Sequence, residues 1–426
     1  MLGVGLVAAA CGVSRAQPQT GRQVAALDGI WEFRPDPEDR GLSRGWQREV
    51  PSDAVDVQVP AVRPAAPGAL WYWRRLSTPK AHGTASIRLR FHGIGGKAQV
   101  WLEGESLGSA GPAWGPVEVD VTSRLKPGAE SLLAVRIGPE RQPGMPLGLW
   151  QSVDLVVTDE AYLDSVAVDA RPSGWLMVRV QMRNASQKSG DAELRVEVRE
   201  ARSGRRVGGA SQNLAVSPGR NTASVTLRVN RPKLWSPDES PLYMAEASLR
   251  QGRDVLDSVQ TPFGFRDVAA LDGRILVNGI PAAGRAVRLT LQELVDADAV
   301  LAAGPAGREV ARLRDAGVRL VVMDGPPAPR AFLDAADIAG VMVAQPADEP
   351  AIAVRDSSHP SVVLWLTRTS GTALPGRPTL RVTVLNADVL EGRVRAPLST
   401  QEEPFRLVLG GPLKTSLPAE APAPGG

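Results

Sequence analysis

Ile87-Arg-Leu-Arg-Phe-His92 and, after a glycine-containing turn, Ala98-Gln-Val-Trp-Leu-Glu103 decide the fold class. Ile87, Leu89 and Phe91 alternate with Arg88, Arg90 and His92. Ala98, Val100 and Leu102 alternate with Gln99, Trp101 and Glu103. Successive side chains of an extended chain point to opposite faces, so a period of two predicts half-buried antiparallel strands. The pattern continues outward through Val117, Val119 and Val121, then Leu133, Val135 and Ile137, then Val153, Leu155 and Val157. Several short strands between Gly/Pro turns predict a jelly-roll sandwich over residues 27–158.

Residues 161–268 keep the same grammar. Leu176, Val178, Val180 and Met182 mark one strand face, and Leu194, Val196 and Val198 another. Val225, Leu227 and Val229 follow, then Tyr243, Ala245, Ala247 and Leu249. About seven strands in this length predict an immunoglobulin-like sandwich. From 272 to 410 the period changes. Thr290-Leu-Gln-Glu293 reads as a capping box opening a helix towards Ala302. Pro305 opens a second helix that Gly317 ends, and Pro329–Ala339 a third ended by Gly340. Val318–Met323, Val341–Ala344 and Val362–Leu366 read as strands. Helix and strand in alternation predict a small α/β domain with a parallel sheet, like a partial (β/α) barrel. The runs near Leu380–Leu385 and Phe405–Leu409 are expected to pair with that sheet and close it. Residues 411–426, rich in Pro, Ala and Gly, read as a disordered tail. The fold class is therefore mainly β: jelly roll, immunoglobulin-like sandwich, then a small α/β domain.

With 426 residues the chain is long enough for about three domains, and 43 Gly and 36 Pro agree with many short elements joined by turns. The charge is nearly balanced, 49 basic residues against 46 acidic. Arginine is spread along the strands, which argues against a nucleic-acid footprint. One cysteine excludes an intrachain disulfide and a multi-cysteine zinc site, and three scattered histidines show no metal-ligand spacing. Phosphate-binding loops, dinucleotide fingerprints and serine-nucleophile elbows are absent, so no cofactor is implied.

Leu2–Ala10 is too short and apolar a run to span a bilayer but fits the core of a signal peptide over residues 1–16. Ser14-Arg-Ala16 offers a small-x-small cleavage site that releases a chain starting at Gln17. Ala8-Ala-Ala-Cys11 offers a lipobox with Cys11 lipidated, although Ala8 stands where Leu is expected. No basic segment precedes the run, which leaves room for a start further upstream. A cytosolic tail is the bland alternative. The expectation is export, to the periplasm, the outside or the outer membrane, with membrane contact only through a lipid at Cys11.

A series of local words resembles glycoside hydrolase family 2, the β-galactosidase/β-glucuronidase type. They are Leu27-Asp-Gly-Ile-Trp-Glu-Phe33, Val59-Pro60 with Trp71-Tyr-Trp-Arg-Arg75, Ala98–Gly104 with Gly108, and Val119-Asp-Val-Thr122. Gly148-Leu-Trp-Gln-Ser-Val153, Leu234-Trp-Ser-Pro-Asp238 with Pro241-Leu-Tyr243, Phe263-Gly-Phe-Arg266 and Asp272–Gly279 complete the set. In order, they cover about residues 27–281. The resemblance implies the sugar-binding and immunoglobulin-like domains of that family and the opening of its barrel. Each word also has a plain structural reading, Trp235 and Tyr243 as core anchors and Asn278-Gly279 as a hairpin turn.

The resemblance further implies a retaining mechanism with two carboxyl groups about 5 Å apart. The family's acid/base is the Glu closing His-Pro-Ser-Val-x-x-Trp-Ser-Leu-Gly-Asn-Glu. Here the matching run is His359-Pro-Ser-Val-Val-Leu-Trp-Leu-Thr-Arg-Thr-Ser370, with Thr369 at the Asn position and Ser370 at the Glu position. A hydroxyl cannot protonate a leaving alcohol as a carboxylic acid does, and no acidic residue stands between Asp356 and Asp388. The nucleophile is expected on a later strand and finds no match in the turn-like contexts of Asp388, Glu391, Glu402 and Glu403. The stretch after Leu271 falls short of a complete barrel of about 200 residues. Met323-Asp-Gly-Pro-Pro-Ala-Pro329 departs from the family's Arg/His-lined loop.

The expected function is thus an exported, catalytically inactive relative that binds carbohydrate or an envelope protein. Trp71, Trp73, Trp101 and Trp114 are the candidate sugar-stacking residues, with Arg141 in a loop expected near the family's active site. One alternative is an active glycosidase using displaced carboxylates at Asp324, Asp348 or Glu349. Another is a structural protein of the envelope that needs no pocket.

Overall fold

The computed structural model describes residues 21–367 apart from 65–66, 78–84, 126–127, 141–144, 272–273, 292–293, 295–302 and 348–349, together with the strand 381–383. The proposed signal segment with Cys11, Arg141, Asp348, Glu349, Thr369, Ser370, the run at Phe405 and the tail 411–426 lie outside the described residues.

The first unit is a sandwich of two antiparallel sheets. One has four strands in the order Gln23–Ala26, Val153–Thr158, Ser86–Phe91, Val117–Asp120. The other has six: Val55–Val59, Gly29–Asp36, Ala69–Ser77, Glu130–Ile137, Ala98–Leu102, Glu105–Ala110. The apolar phase of each strand faces inward, and Leu89, Phe91, Val100, Leu133, Val135 and Leu155 form a dry core. Each such side chain contributes about 1.5–3 kcal/mol on burial.

The second unit packs the three strands Ala161–Ala170, Trp175–Asn184 and Gly219–Arg228 on a sheet of four. That sheet runs in the order Arg206–Val216, Gly190–Glu200, Tyr243–Gln251, Asp254–Phe263. Leu176, Val178, Val180 and Met182 point into its core, as the alternation predicts.

The third unit is an open parallel sheet of Arg285–Thr290, Val318–Asp324, Met342–Pro346, Val362–Thr367 and Arg381–Thr383, in chain order. The helices Ala303–Asp315, Arg330–Ala339 and Pro350–Asp356 connect the strands. Gly317 and Gly340 end the first two helices at φ values of 80° and 71°, a backbone region costly for other L-residues. Phe332, Leu333, Val310 and Ile352 from the helices share a core with Val321, Met323 and Val343. The opposite sheet face packs Leu320, Val322, Met342 and Leu364 on Trp235 and on Ile275 and Val277. Among the described residues the sheet stays open and does not close into a barrel. The Leu380 run joins it through Arg381–Thr383, pairing with Val362–Thr367.

Two features differ from the sequence expectation. Arg285–Thr290 is a strand that the sequence reading did not give; Thr290, its last residue, stands directly before Leu291 and Leu294, which are helical as the capping-box reading expects. Helix Pro350–Asp356 was not anticipated, since seven residues are too few to show a period of 3.6.

Candidate functional site

Parallel α/β sheets present ligand-binding side chains at the carboxyl ends of their strands. Here Thr290, Asp324, Pro346 and Thr367 mark that edge. Arg288, on the neighbouring strand, pairs with the half-buried Asp324 carboxylate and neutralises it. Near the end of the next strand Gln345 is buried. Its Oε1 accepts from the Ala328 amide at 3.0 Å and its Nε2 donates to Asp356 Oδ2 at 2.7 Å. Arg355 pairs with the same carboxylate and donates to the carbonyls of Ala328 at 2.9 Å and Trp114 at 3.0 Å. This edge is therefore knitted to the jelly roll, and its polar groups are already committed to one another.

The strand that leads to position 370 is fixed at its other end. Arg266, from the Phe-Gly-Phe-Arg word, is buried and donates to the carbonyls of His359, Pro360 and Val362. His359 Nδ1 lies 2.6 Å from Asp337 Oδ2, and Asp337 Oδ1 accepts from the Ser361 amide at 2.8 Å. Burial pushes the imidazole pKa down, but the Asp337 charge and hydrogen bond, with Asp334 and Asp356, outweigh it and hold it above its ordinary 6.5. Asp334, Asp337 and His359 bring one ligand atom each within 4.8 Å of one another, a spacing a metal ion can use. Both Asp337 oxygens and the imidazole Nδ1 are already engaged, however, and the group sits where the strand begins, away from the carboxyl edge. It reads as the joint that seats the strand.

The proposed stacking residues are not available to a ligand in solution. Trp71 and Trp73 are fully buried, and Trp101 and Trp114 are 7% exposed. Trp71 stacks on Trp73 at 5.8 Å and on Trp101 at 5.3 Å, with Trp46 edge-on. The outer face of the six-stranded sheet is roofed by the segment carrying Trp46, Val50 and Ala54, so facing away from the main core does not mean facing water. Trp114 packs with Trp150 and Met145 against the helices of the third unit.

Among the described residues Trp175, 49% exposed, is the one exposed tryptophan, with the Arg228 guanidinium 5.8 Å from its ring centre. Alternation could have found it: if Leu176 and Val178 point inward, Trp175, Arg179 and Gln181 point outward. Arg179 and Gln181 reach the rim of a cavity of about 110 Å³ shared with Ser165, Asp169, Ser358 and Trp365, room for a few waters.

Two antiparallel sandwiches docked on an open parallel βα sheet, with a buried arginine seating one strand, define a multidomain, mainly β scaffold. More particularly, this is a glycosyl hydrolase family 2-like protein. Residues 160–266 match the model of glycosyl hydrolases family 2. The chain is 28% identical to a putative β-glucuronidase of Formosa agariphila over 47% of its own length and 20% of that protein's. It is 24% identical to a β-galactosidase of Bacteroides ovatus over 83% of its length and 44% of that protein's. A β-glucuronidase structure from Ruminococcus gnavus, bound to glucuronic acid, superposes with a TM-score of 0.68 at 20% identity, covering 84% of this chain and 69% of that one. The chain spans less than half the length of the two curated relatives.

Proposed function

We propose that this chain is an exported carbohydrate-binding relative of family 2 glycosidases that does not hydrolyse glycosides. One observation carries the reading: the strand word His359–Trp365 is intact, while the position that should supply the acid/base carboxyl holds Ser370, preceded by Thr369. A serine hydroxyl does not ionise near neutral pH and offers neither the proton nor the base that both half-reactions require. The pairing of Asp324 with Arg288 points the same way, since that carboxylate is already engaged by a guanidinium of the neighbouring strand. Carbohydrate binding is assigned to the outward face of Trp175, Arg179 and Gln181. An exposed indole covers the apolar face of one pyranose beside the Arg228 guanidinium, and Arg179 and Gln181, about 13 and 20 Å further along the strand, bond the hydroxyls of following sugar units of an oligosaccharide.

The test is hydrolysis of aryl β-galactoside, β-glucuronide, β-mannoside and β-glucoside by the purified chain from Gln17. No turnover above background on any of them is expected. Turnover that disappears on changing Asp324, Asp348 or Glu349 would instead establish an active glycosidase with displaced carboxylates. In parallel, Trp175→Ala is expected to weaken retention on a glycan array at least tenfold; unchanged retention would remove the assigned face.

A further inference from the structure

At the start of the parallel strands, opposite the carboxyl edge, lies a groove of about 570 Å³ between the second sandwich and the sheet. Its walls are Ser236–Asp238, the turn Asn278–Pro281, and three arginines: Arg285, Arg314 and Arg319. Among the described lining residues only one carboxylate, Asp238, opposes them. Arg319 donates to the Pro237 carbonyl at 3.1 Å and lies 3.5 Å from the exposed Asp238 carboxylate. Arg285 donates one Nη to the Ala316 carbonyl at 2.7 Å, while its buried Nε has no partner among the described residues. The side chain of Arg314, in the last turn of its helix, makes no hydrogen bond or ion pair with a described residue, while its carbonyl accepts from the Gly317 amide at 2.8 Å.

The groove also keeps its arginines in place. A Cβ on Gly284 would lie 2.3 Å from the Arg319 side chain, one on Gly317 would lie 3.1 Å from Arg285, and one on Gly340 would lie 3.2 Å from Arg314. The stems of Arg319 and Arg285 thus rest against glycines, and the Nη1 of Arg314 lies over Gly340 beside the Pro237 backbone. The positive φ at each position independently favours glycine, so the close approach adds to the backbone requirement. The result is a cluster of planar donors with spare N–H groups and excess positive charge, the arrangement that oxyanions bind bidentately.

We propose that this groove binds an oxyanion group, a sulfate, phosphate or carboxylate, through Arg285, Arg314 and Arg319. The space exceeds what a free ion fills, which favours an oxyanion borne on a larger polar molecule. The groove is separate from the Trp175 face, so the two assignments fail independently.

The test is binding of the full chain to dextran sulfate, with neutral dextran and free sodium sulfate as companion probes, followed by calorimetry at rising salt. Dextran sulfate is expected to bind and to weaken as salt screens the arginines. Arg314→Gln, which removes no side-chain hydrogen bond or ion pair among the described residues, is expected to loosen it on the order of tenfold or more with an unchanged melting temperature. Arg253→Gln, in an exposed turn outside the groove and outside the Trp175 face, serves as the control for general basicity. Competition by free sulfate at the same site and preference for the polymer both support the proposal and distinguish an ion site from a polyanion site. Absence of binding, equal loss in the Arg253 control, or affinity unchanged in Arg314→Gln and in Arg285→Gln/Arg319→Gln would overturn it.

Discussion

Asp337 holds the imidazole of His359 with one oxygen and the Ser361 amide with the other, all three buried. Replacing it by Ala takes these partners from a buried imidazole and a buried amide. Breaking one side of a buried pair costs about 3–5 kcal/mol, and urea denaturation of Asp337→Ala measures it; a loss under 1 kcal/mol would contradict the role of a joint. The pH dependence has a definite sign. The folded pKa of His359 is raised, so the stability it contributes is full below the ordinary 6.5 and fades as pH climbs through the folded value. His359→Gln should flatten that limb. Tyr72 behaves likewise at alkaline pH. Burial pushes its phenol up to about 12, only partly opposed by Arg63. The folded state therefore holds this proton more tightly. Stability is full below 10 and falls by roughly 2–3 kcal/mol as pH rises from 10 to 12. Tyr72→Phe should lose that part of the decline, read as the difference between two pH-melting curves.

At the scale of elements, alternation was legible wherever one strand face met the core and the other met water. It placed Leu176–Met182 inward and therefore already implied an outward Trp175. It misled at Trp101, because a loop supplies a second apolar layer over the outside of the sheet, and no local pattern reveals where a distant segment will fold back. Trp46 is the keystone of that roof, donated by the loop to Trp71 and Trp73. Trp46→Ala is expected to cost about 3–5 kcal/mol and to raise proteolysis within residues 37–54; an unchanged denaturation midpoint would show the roof to be dispensable. Arg285–Thr290 was illegible for a different reason. All six residues are half-buried, so neither phase is purely apolar, and Arg285 and Arg288 disguise the strand as surface. The joint around Arg266 was visible only as a word, since its three carbonyl partners lie more than ninety residues away.

Across the whole molecule, the three units share contacts that no single unit contains. Arg355 reaches the Trp114 carbonyl of the jelly roll, Arg266 of the second sandwich holds the start of a parallel strand, and Trp235 donates its indole N–H to the Asp337 carbonyl at 2.9 Å. Jelly-roll residues Trp114, Met145 and Trp150 belong to the same apolar cluster as the helices. Interfaces of this apolar kind couple unfolding, so calorimetry is expected to give one main transition. Arg355→Ala should split or broaden it; well-separated transitions in the unaltered protein would show the units to be independent. The candidate catalytic edge was the least legible part at this scale, because the sequence names a position, Ser370, while the neutralised Asp324 and the committed Gln345 are facts of three-dimensional packing.

The stack of Trp71, Trp73 and Trp101 has an optical consequence. Stacked indoles 5–6 Å apart couple their intense far-ultraviolet transitions, and the expected outcome is a dichroic contribution there that depends on the loop roof. Trp175 stands outside that ensemble and is the indole an aqueous quencher such as iodide reaches. The protein thus carries two unlabelled reporters: one that fades when the roof opens, and one that changes colour when a ligand settles on the outer face of the second sandwich.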